Sequence, residues 1–394
     1  LLVGEIVITT GMTGIIETLT DPSFSNQILI ITFPPFGKYG KPKDTFNFFN
    51  ISEQFESSTI YPKAVLVDHM ITKYSHWNAE DSLDKFLENE GIYGIKNIDT
   101  RQLTKTIREL GNMTTTISYQ DKNENIYRSI IETQKTYPLF SQELSMVAKI
   151  DKLGNSEDPC VLFIDCGAKN NQLSCLLQVR CSCKVVSGRW NTLPTLEEIQ
   201  SLNFKGIFLS NGPYDPKDWK KTLQWLTYIQ KNNQLPIFGI CLGHQLLALS
   251  NRIETYKMKY GNRGQNIPVK CSFTENSFIT SQNHGYAVDS LSIKNKLDWE
   301  ESFVNINDGS NEGMVHTCKP YFSVQFHPEA KPGPQDTQYL FQIFRSLVEN
   351  PHQSGKEALL NYLQIHYPIP VNHEISRICP HGTILVLGSG GLSI

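Results

Sequence analysis

Cys241 sits between an apolar run, Pro236 to Ile240, and a helix-like run, Leu242 to Leu249, with Gly239 and Gly243 on either side. Gly-x-Cys-x-Gly at a strand-to-helix junction is the pattern of a nucleophile elbow, in which a sharp turn presents the thiol to a cleft. Glycine is expected at both flanks because such a turn needs positive φ and close backbone approach. A helix N-terminus favours negative charge, and the thiolate is the nucleophilic form of cysteine. A partner follows in Phe326-His327-Pro328-Glu329, just past the strand-like Tyr321 to Gln325. A histidine at a strand end can take the thiol proton, and a carboxylate two residues on can orient the imidazole. Pro328 stiffens the corner from which both project. Together these residues spell a Cys-His-Glu triad. An ordinary buried cysteine and a solvated turn are the plainer readings of either segment taken alone.

The elements that must position this triad are legible as apolar runs. Val161 to Ile164, Lys184 to Val186, Gly206 to Leu209 and Pro236 to Ile240 are continuous enough for strands of a parallel sheet. Trp219, Leu223, Leu226 and Ile229 mark one helix face, and Leu340, Ile343, Phe344 and Leu347 another. The spacing predicts a doubly wound α/β domain over residues 159–350, with Cys241 and His327 at carboxyl ends of strands, where such domains place their chemistry. Residues 1–150 form a separate β/α unit. Glu5 to Thr10 alternates like a strand, and Ala64 to Val67 is a short buried one. Asp99 to Leu110 reads as a helix capped by Asp99 or Thr100, burying Leu103, Ile107 and Leu110 and closed by Gly111. The polar stretch Asp151 to Asp158 marks the boundary. Residues 351–382 read as a linker, and Ile384 to Leu387 as a strand feeding a glycine-rich turn.

At 394 residues the chain is long enough for two cores, and its 39% hydrophobic and 19% charged content is that of a globular protein. A net charge of -3 gives no reason to expect nucleic acid or an anionic membrane as partner. No apolar run approaches the ~18 residues that span a bilayer. With Leu at position 1, the natural chain is expected to begin upstream. Nine cysteines without a Cys-x-x-Cys pair predict no metal site and a reducing, cytoplasmic setting.

The segments Gly239 to Gln245, Ser281 to Tyr286 and Phe326 to Glu329 resemble the class I glutamine amidotransferases, and most closely the glutaminase half of carbamoyl phosphate synthetase. Both ends of the chain carry the narrower resemblance. Gly11-Met12-Thr13-Gly14 with Thr20-Asp21-Pro22-Ser23 is similar to the small-subunit N-terminal domain, and Gly388 to Ile394 is similar to the opening of the ATP-using synthetase half. The resemblance implies that Cys241 attacks the glutamine side-chain amide, His327 protonates the departing ammonia and Glu329 orients the histidine. It implies glutamine contacts from Ser23, Gly212, Tyr214, Leu242, Gln245, Asn283, Gly285 and Tyr286, with the Leu242 and Gly212 amides as the oxyanion donors. It assigns residues 383–394 to the fused synthetase half, where ATP and Mg2+ are expected, with no cofactor in this portion. The family pattern is Gly-Pro-Gly-Asp-Pro where this chain has Gly212-Pro213-Tyr214-Asp215-Pro216. A positive φ at Tyr214 would strain the backbone by about 1–2 kcal/mol and weaken glutamine binding. His244 and His284 read as structural. The continuation toward Ile394 resembles the fused eukaryotic enzyme of pyrimidine synthesis. A glutaminase half serving another synthase, and a catalytically silent regulatory scaffold, are the competing readings.

Overall fold

The structure, a computed structural model, describes residues 2–33, 36–118, 153–188 and 193–368. The expected strand at Ile384 to Leu387 and the glycine-rich segment 388–394 lie outside the described residues.

The first unit is a five-stranded sheet in the order β6-β4-β2-β1-β7, built from β1 (Leu2–Thr9), β2 (Gln27–Ile31), β4 (Ala64–Leu66), β6 (Tyr93–Ile95) and β7 (Met113–Ile117). A small ribbon of β3 (Lys41–Pro42) and β5 (Ala79–Asp81) lies apart from it. The strands β1, β2, β4 and β6 run parallel, and β7 closes the edge antiparallel to β1. With an apolar cluster on each face of the sheet, β1 is buried from Ile6 to Thr9 instead of alternating as its sequence suggests. The helices are α1 (Ile15–Leu19), α2 (Leu83–Asn89) and α3 (Thr100–Leu110). Asp99 caps α3 by accepting the Gln102 amide at 2.8 Å, and Gly111 ends it at φ 90. Thr104 and Ile107 are buried on this helix, but Leu110 is 72% exposed, against the expected face.

The second unit carries a nine-stranded sheet in the order β13-β12-β14-β15-β16-β11-β10-β8-β9. Its parallel half comprises β8 (Cys160–Asp165), β9 (Ser182–Ser187), β10 (Gly206–Leu209), β11 (Ile237–Ile240) and β16 (Tyr321–Val324), each near its expected place. The antiparallel half, β12 (Thr255–Cys271), β13 (Ser277–Val288), β14 (Trp299–Asn305) and β15 (Asn311–His316), extends from β16 and is absent from the sequence expectation. The helices are α4 (Asn170–Gln178), α5 (Leu196–Ser201), α6 (Lys220–Asn232), α7 (Leu242–Ser250), α8 (Ser290–Lys294), α9 (Tyr339–Glu349) and α10 (Gly355–His366). Two apolar layers fill the two sheet faces, as alternation of side chains along each strand requires. Phe163, Phe208, Phe238 and Phe322 meet Leu340, Phe341 and Phe344 of α9 on one face. Leu162, Ile207 and Ile237 meet Leu226, Ile229 and Leu246 on the other.

The expected linker is corrected at 355–366, which form α10. Ser354 and Glu357 make a reciprocal capping box, and Ala358, Leu359 and Leu363 are buried in the core against α9. Gly355 is packed so closely on β16 that a Cβ there would lie 2.1 Å from the Tyr321 carbonyl oxygen.

Candidate active site

Strand β11 delivers Cys241 into a backbone conformation of φ 54, ψ -103, the N-cap of α7. An L-residue holds such a conformation only when its surroundings over-determine it. Here the Cys241 amide donates to Val324 O at 2.9 Å, and the Gly243 amide donates to Ser210 O at 3.0 Å. The positive φ belongs to the cysteine itself, so the flanking glycines serve close approach alone. A Cβ on Gly243 would lie 2.2 Å from the Leu209 carbonyl oxygen.

Strand β16 ends one corner before His327, whose amide donates to Ser281 O at 2.9 Å and thereby ties the corner to β13. His327 Nδ1 lies 2.7 Å from Glu329 Oε1. Its Nε2 is buried without a hydrogen-bond partner, and the Cys241 sulfur is near enough to favour charge on the imidazole. Cys241 Sγ itself rests 3.6 Å from Asn283 O. Burial opposes a charge on the imidazole, but the Glu329 carboxylate and the Cys241 sulfur outweigh it and hold His327 above its ordinary value. Burial likewise opposes the Glu329 charge, and His327 and Lys169 together pull that carboxyl well below the usual range. Charge on the imidazole is therefore stabilised where a proton must be taken from a thiol and later given to ammonia.

The two amides expected to hold an oxyanion lie at a helix start and in a tight turn. Leu242 opens α7, and the amide of a first helical residue has no intrahelical acceptor. Gly212 follows β10, in a turn that Ser210 anchors by accepting the Cys166 amide on its Oγ at 2.8 Å. A Cβ on Gly212 would lie 2.1 Å from the Cys166 carbonyl oxygen, so only glycine fits. Gly212→Ala is accordingly expected to push this amide off its target and lower kcat by about 10²–10³ with a smaller effect on KM. Steady-state kinetics on a variant shown by its melting curve to be folded checks this.

Ser23, Gly212, Tyr214, Cys241, Gln245, Asn283, Gly285 and Tyr286 line one cleft of about 700 Å³ between the two units. Leu242 does not line it. Gln245 Nε2 donates to Tyr286 O and Gln325 Oε1, both at 3.0 Å, which fixes the amide across the sheet. Asn283 Nδ2 donates to Asp21 Oδ2 at 2.8 Å. Ser23 Oγ accepts from Asn211 Nδ2 at 2.9 Å, so the first unit does form part of the pocket wall. His244 is buried against Ser323 Oγ at 2.9 Å, and burial with the nearby His284 depresses it to about 3. His284, lowered to about 4 chiefly by burial, contacts Tyr286 O and Gln282 Oε1.

Several residues behind the triad escaped sequence reasoning. Lys169, at the N-cap of α4, lies 3.4 Å from Glu329 Oε1 and donates to Ala330 O. Gln172 Nε2 donates to the same carboxylate oxygen at 3.2 Å. Glu56 reaches over from the first unit and accepts the Asn171 amide at 3.0 Å; burial, only partly offset by Lys169, pushes it up to about 7. Asp21 stands inside the Thr20-Asp21-Pro22-Ser23 segment and binds both Asn283 and the Ser23 amide. Arg263 of β12 is buried against the cleft with its Nε unpartnered. No local pattern announces Lys169, Glu56 or Arg263, since each acts through tertiary approach. Among the described residues no cluster of His, Cys, Asp and Glu is arranged to hold a metal ion.

Comparison with known proteins agrees with this geometry. Residues 162–347 match the model of glutamine amidotransferase class-I, and residues 1–117 that of the carbamoyl-phosphate synthase small chain, CPSase domain. The multifunctional protein pyrABCN of Emericella nidulans is 41% identical over 99% of this chain, and the multifunctional protein CAD of Squalus acanthias 40% identical over 99%. The chain spans only 18% and 17% of the length of those two relatives. The carbamoyl phosphate synthase arginine-specific small chain of Neurospora crassa is 41% identical, with 88% of this chain aligned to 75% of that one. With two units, a thiol elbow and these relatives, the chain belongs to the carbamoyl-phosphate synthase small-chain family and carries a class I glutamine amidotransferase domain.

Proposed function

We propose that the chain hydrolyses L-glutamine and passes the ammonia to a synthetase half that makes carbamoyl phosphate from bicarbonate and ATP, the first step of pyrimidine synthesis in the cytoplasm. The carrying observation is Cys241 on a strained backbone at a helix start, its sulfur acting on the buried His327–Glu329 couple. The sulfur attacks the amide carbon, the Leu242 and Gly212 amides hold the oxyanion, and His327 gives its proton to the leaving nitrogen. Water then opens the γ-glutamyl thioester, releasing glutamate and restoring the thiol. ATP and Mg2+ act in the synthetase half, outside this glutaminase portion. The pyrimidine reading is supported by alignments to the multifunctional relatives that take in 99% of this chain, against 88% for the arginine-specific small chains. Among the described residues no helix is long and apolar enough to cross a membrane.

A glutamine-derived diazoketone tests the site without depending on turnover rate. It is expected to add one acyl-methyl group to Cys241, with glutamine protecting, as read by peptide mass mapping. Labelling elsewhere, or none, overturns the assignment.

A further inference from the structure

Tyr214 combines two properties that are costly to hold together. Its backbone is left-handed at φ 79, a conformation disfavoured for any residue with a Cβ. Its ring, meanwhile, crosses the seam between the two units. The phenol oxygen accepts from Asn26 Nδ2 at 2.9 Å and lies 3.0 Å from Ser25 Oγ. Ser25 and Asn26 directly follow the short 3-10 turn Pro22–Phe24, which carries Ser23. Tyr214 itself stands two residues after Gly212. The phenol thus joins the loop that presents an oxyanion amide to the turn that presents a glutamine-facing hydroxyl, and all five residues line the same cleft. On the inner side of the seam the two walls meet through Asn211, which donates to Ser23 Oγ at 2.9 Å and to Asp21 Oδ1 at 3.4 Å. The phenol adds a second tie from the outer side. A glycine there, as in the family pattern, offers the backbone amide but no side chain to make this tie.

We propose that Tyr214 is a positioning residue whose phenol straps the Gly212 loop to the Ser23 turn, setting the width of the glutamine pocket within this chain. The proposal rests on the glutaminase reading. Strained residues persist where the surrounding structure holds them, and sites that need pre-set geometry are where such strain is kept. A pocket whose walls belong to two units binds only in the fraction of molecules with both walls in register, and apparent affinity falls in proportion to that fraction. The phenol's two contacts bias that register without touching the sulfur. The backbone strain expected at Tyr214 is present, and a compensating tie comes with it.

Tyr214→Phe keeps the ring and the backbone and removes only the tie. It is expected to raise the glutamine KM by about tenfold, from the loss of two modest hydrogen bonds, with kcat held within about threefold. Labelling of Cys241 by the glutamine-derived diazoketone should slow to match, whereas labelling by iodoacetamide, which needs neither wall, should not. Tyr214→Gly should raise KM as well, yet melt no lower than the parent because the left-handed strain is gone. A residue that only stabilised the fold would make KM and melting temperature worsen together. In an Asn26→Ala, Ser25→Ala background, Tyr214→Phe should add nothing further. A KM within twofold of the parent in Tyr214→Phe, or a loss confined to kcat, overturns the strap. Failure of the glutaminase reading would look different, because the parent itself would then neither turn over glutamine nor be labelled at Cys241.

Discussion

Cys241→Ala is expected to abolish glutamine hydrolysis, with a fall in kcat of roughly 10⁴-fold or more, because the proposed thioester needs this thiol. Of the described cysteines, Cys241 alone lines the cleft, beside Gly212 and Gln245. In a protein that continues into the proposed synthetase half, carbamoyl phosphate synthesis from added ammonium survives the substitution, since the two reactions use separate sites. Cys241→Gly separates chemistry from strain. It loses activity equally but melts above Cys241→Ala, because the backbone at φ 54, ψ -103 costs about 1–3 kcal/mol for any residue with a Cβ. Glutamine turnover by Cys241→Ala near the parent's rate would remove the nucleophile assignment. Equal melting of the two variants would instead remove the claim of a strained elbow while leaving the nucleophile in place.

The parallel half of the second sheet was readable from sequence because strands buried on both faces appear as unbroken apolar runs, as in Val161 to Ile164 and Gly206 to Leu209. Cys241, His327 and Glu329 stood out in the sequence because they sit at strand ends in short motifs. The antiparallel half was not. Strand β12 runs from Thr255 to Cys271 through Lys, Asn, Arg and Gln, and its register on β13 slips between Lys257 and Asn262 and again between Gly264 and Ile267. Two irregularities erase a period-two pattern. Yet β12 and β13 bring Arg263, Asn283, Gly285 and Tyr286 to the cleft. Helix α10 carried its signal in Ser354 and Glu357, a capping box ahead of Ala358, Leu359 and Leu363, outweighed in the reading by the polar residues around it. Lys169 and Glu56 had no comparable signal, since a lysine before a helix and a glutamate in a loop are ordinarily solvated. Only the packing of α4 against the first unit turns both into neighbours of Glu329.

Those neighbours decide what Glu329→Gln does. Losing the carboxylate leaves His327 facing an amide that can donate as well as accept, and triads whose acid becomes an amide lose about 10⁴ in kcat through the wrong tautomer. The substitution also strands two buried cations, the imidazolium and Lys169, and breaking a buried pair costs about 3–5 kcal/mol. The stability loss depends on pH in a fixed sense. Glu329 has a folded value below its unfolded 4.5, so its contribution is present above pH 4.5 and lost as pH falls through about 2. His327 is raised from 6.5 toward about 10, so its share is present below pH 6.5 and lost as pH rises through about 10. The gap in stability between parent and variant is therefore widest from about pH 4.5 to 6.5 and narrows toward either extreme. Glu56 limits the damage, because burial and the like charge of Glu329 both hold it near 7 in the parent, and removing Glu329 lets it ionise more readily beside Lys169. Urea unfolding of both proteins across this pH range, together with glutamine kinetics, measures the two effects separately. A variant that turns over glutamine within tenfold of the parent would show that Glu329 serves Lys169 alone. A stability gap independent of pH would show that the lost energy is packing rather than charge.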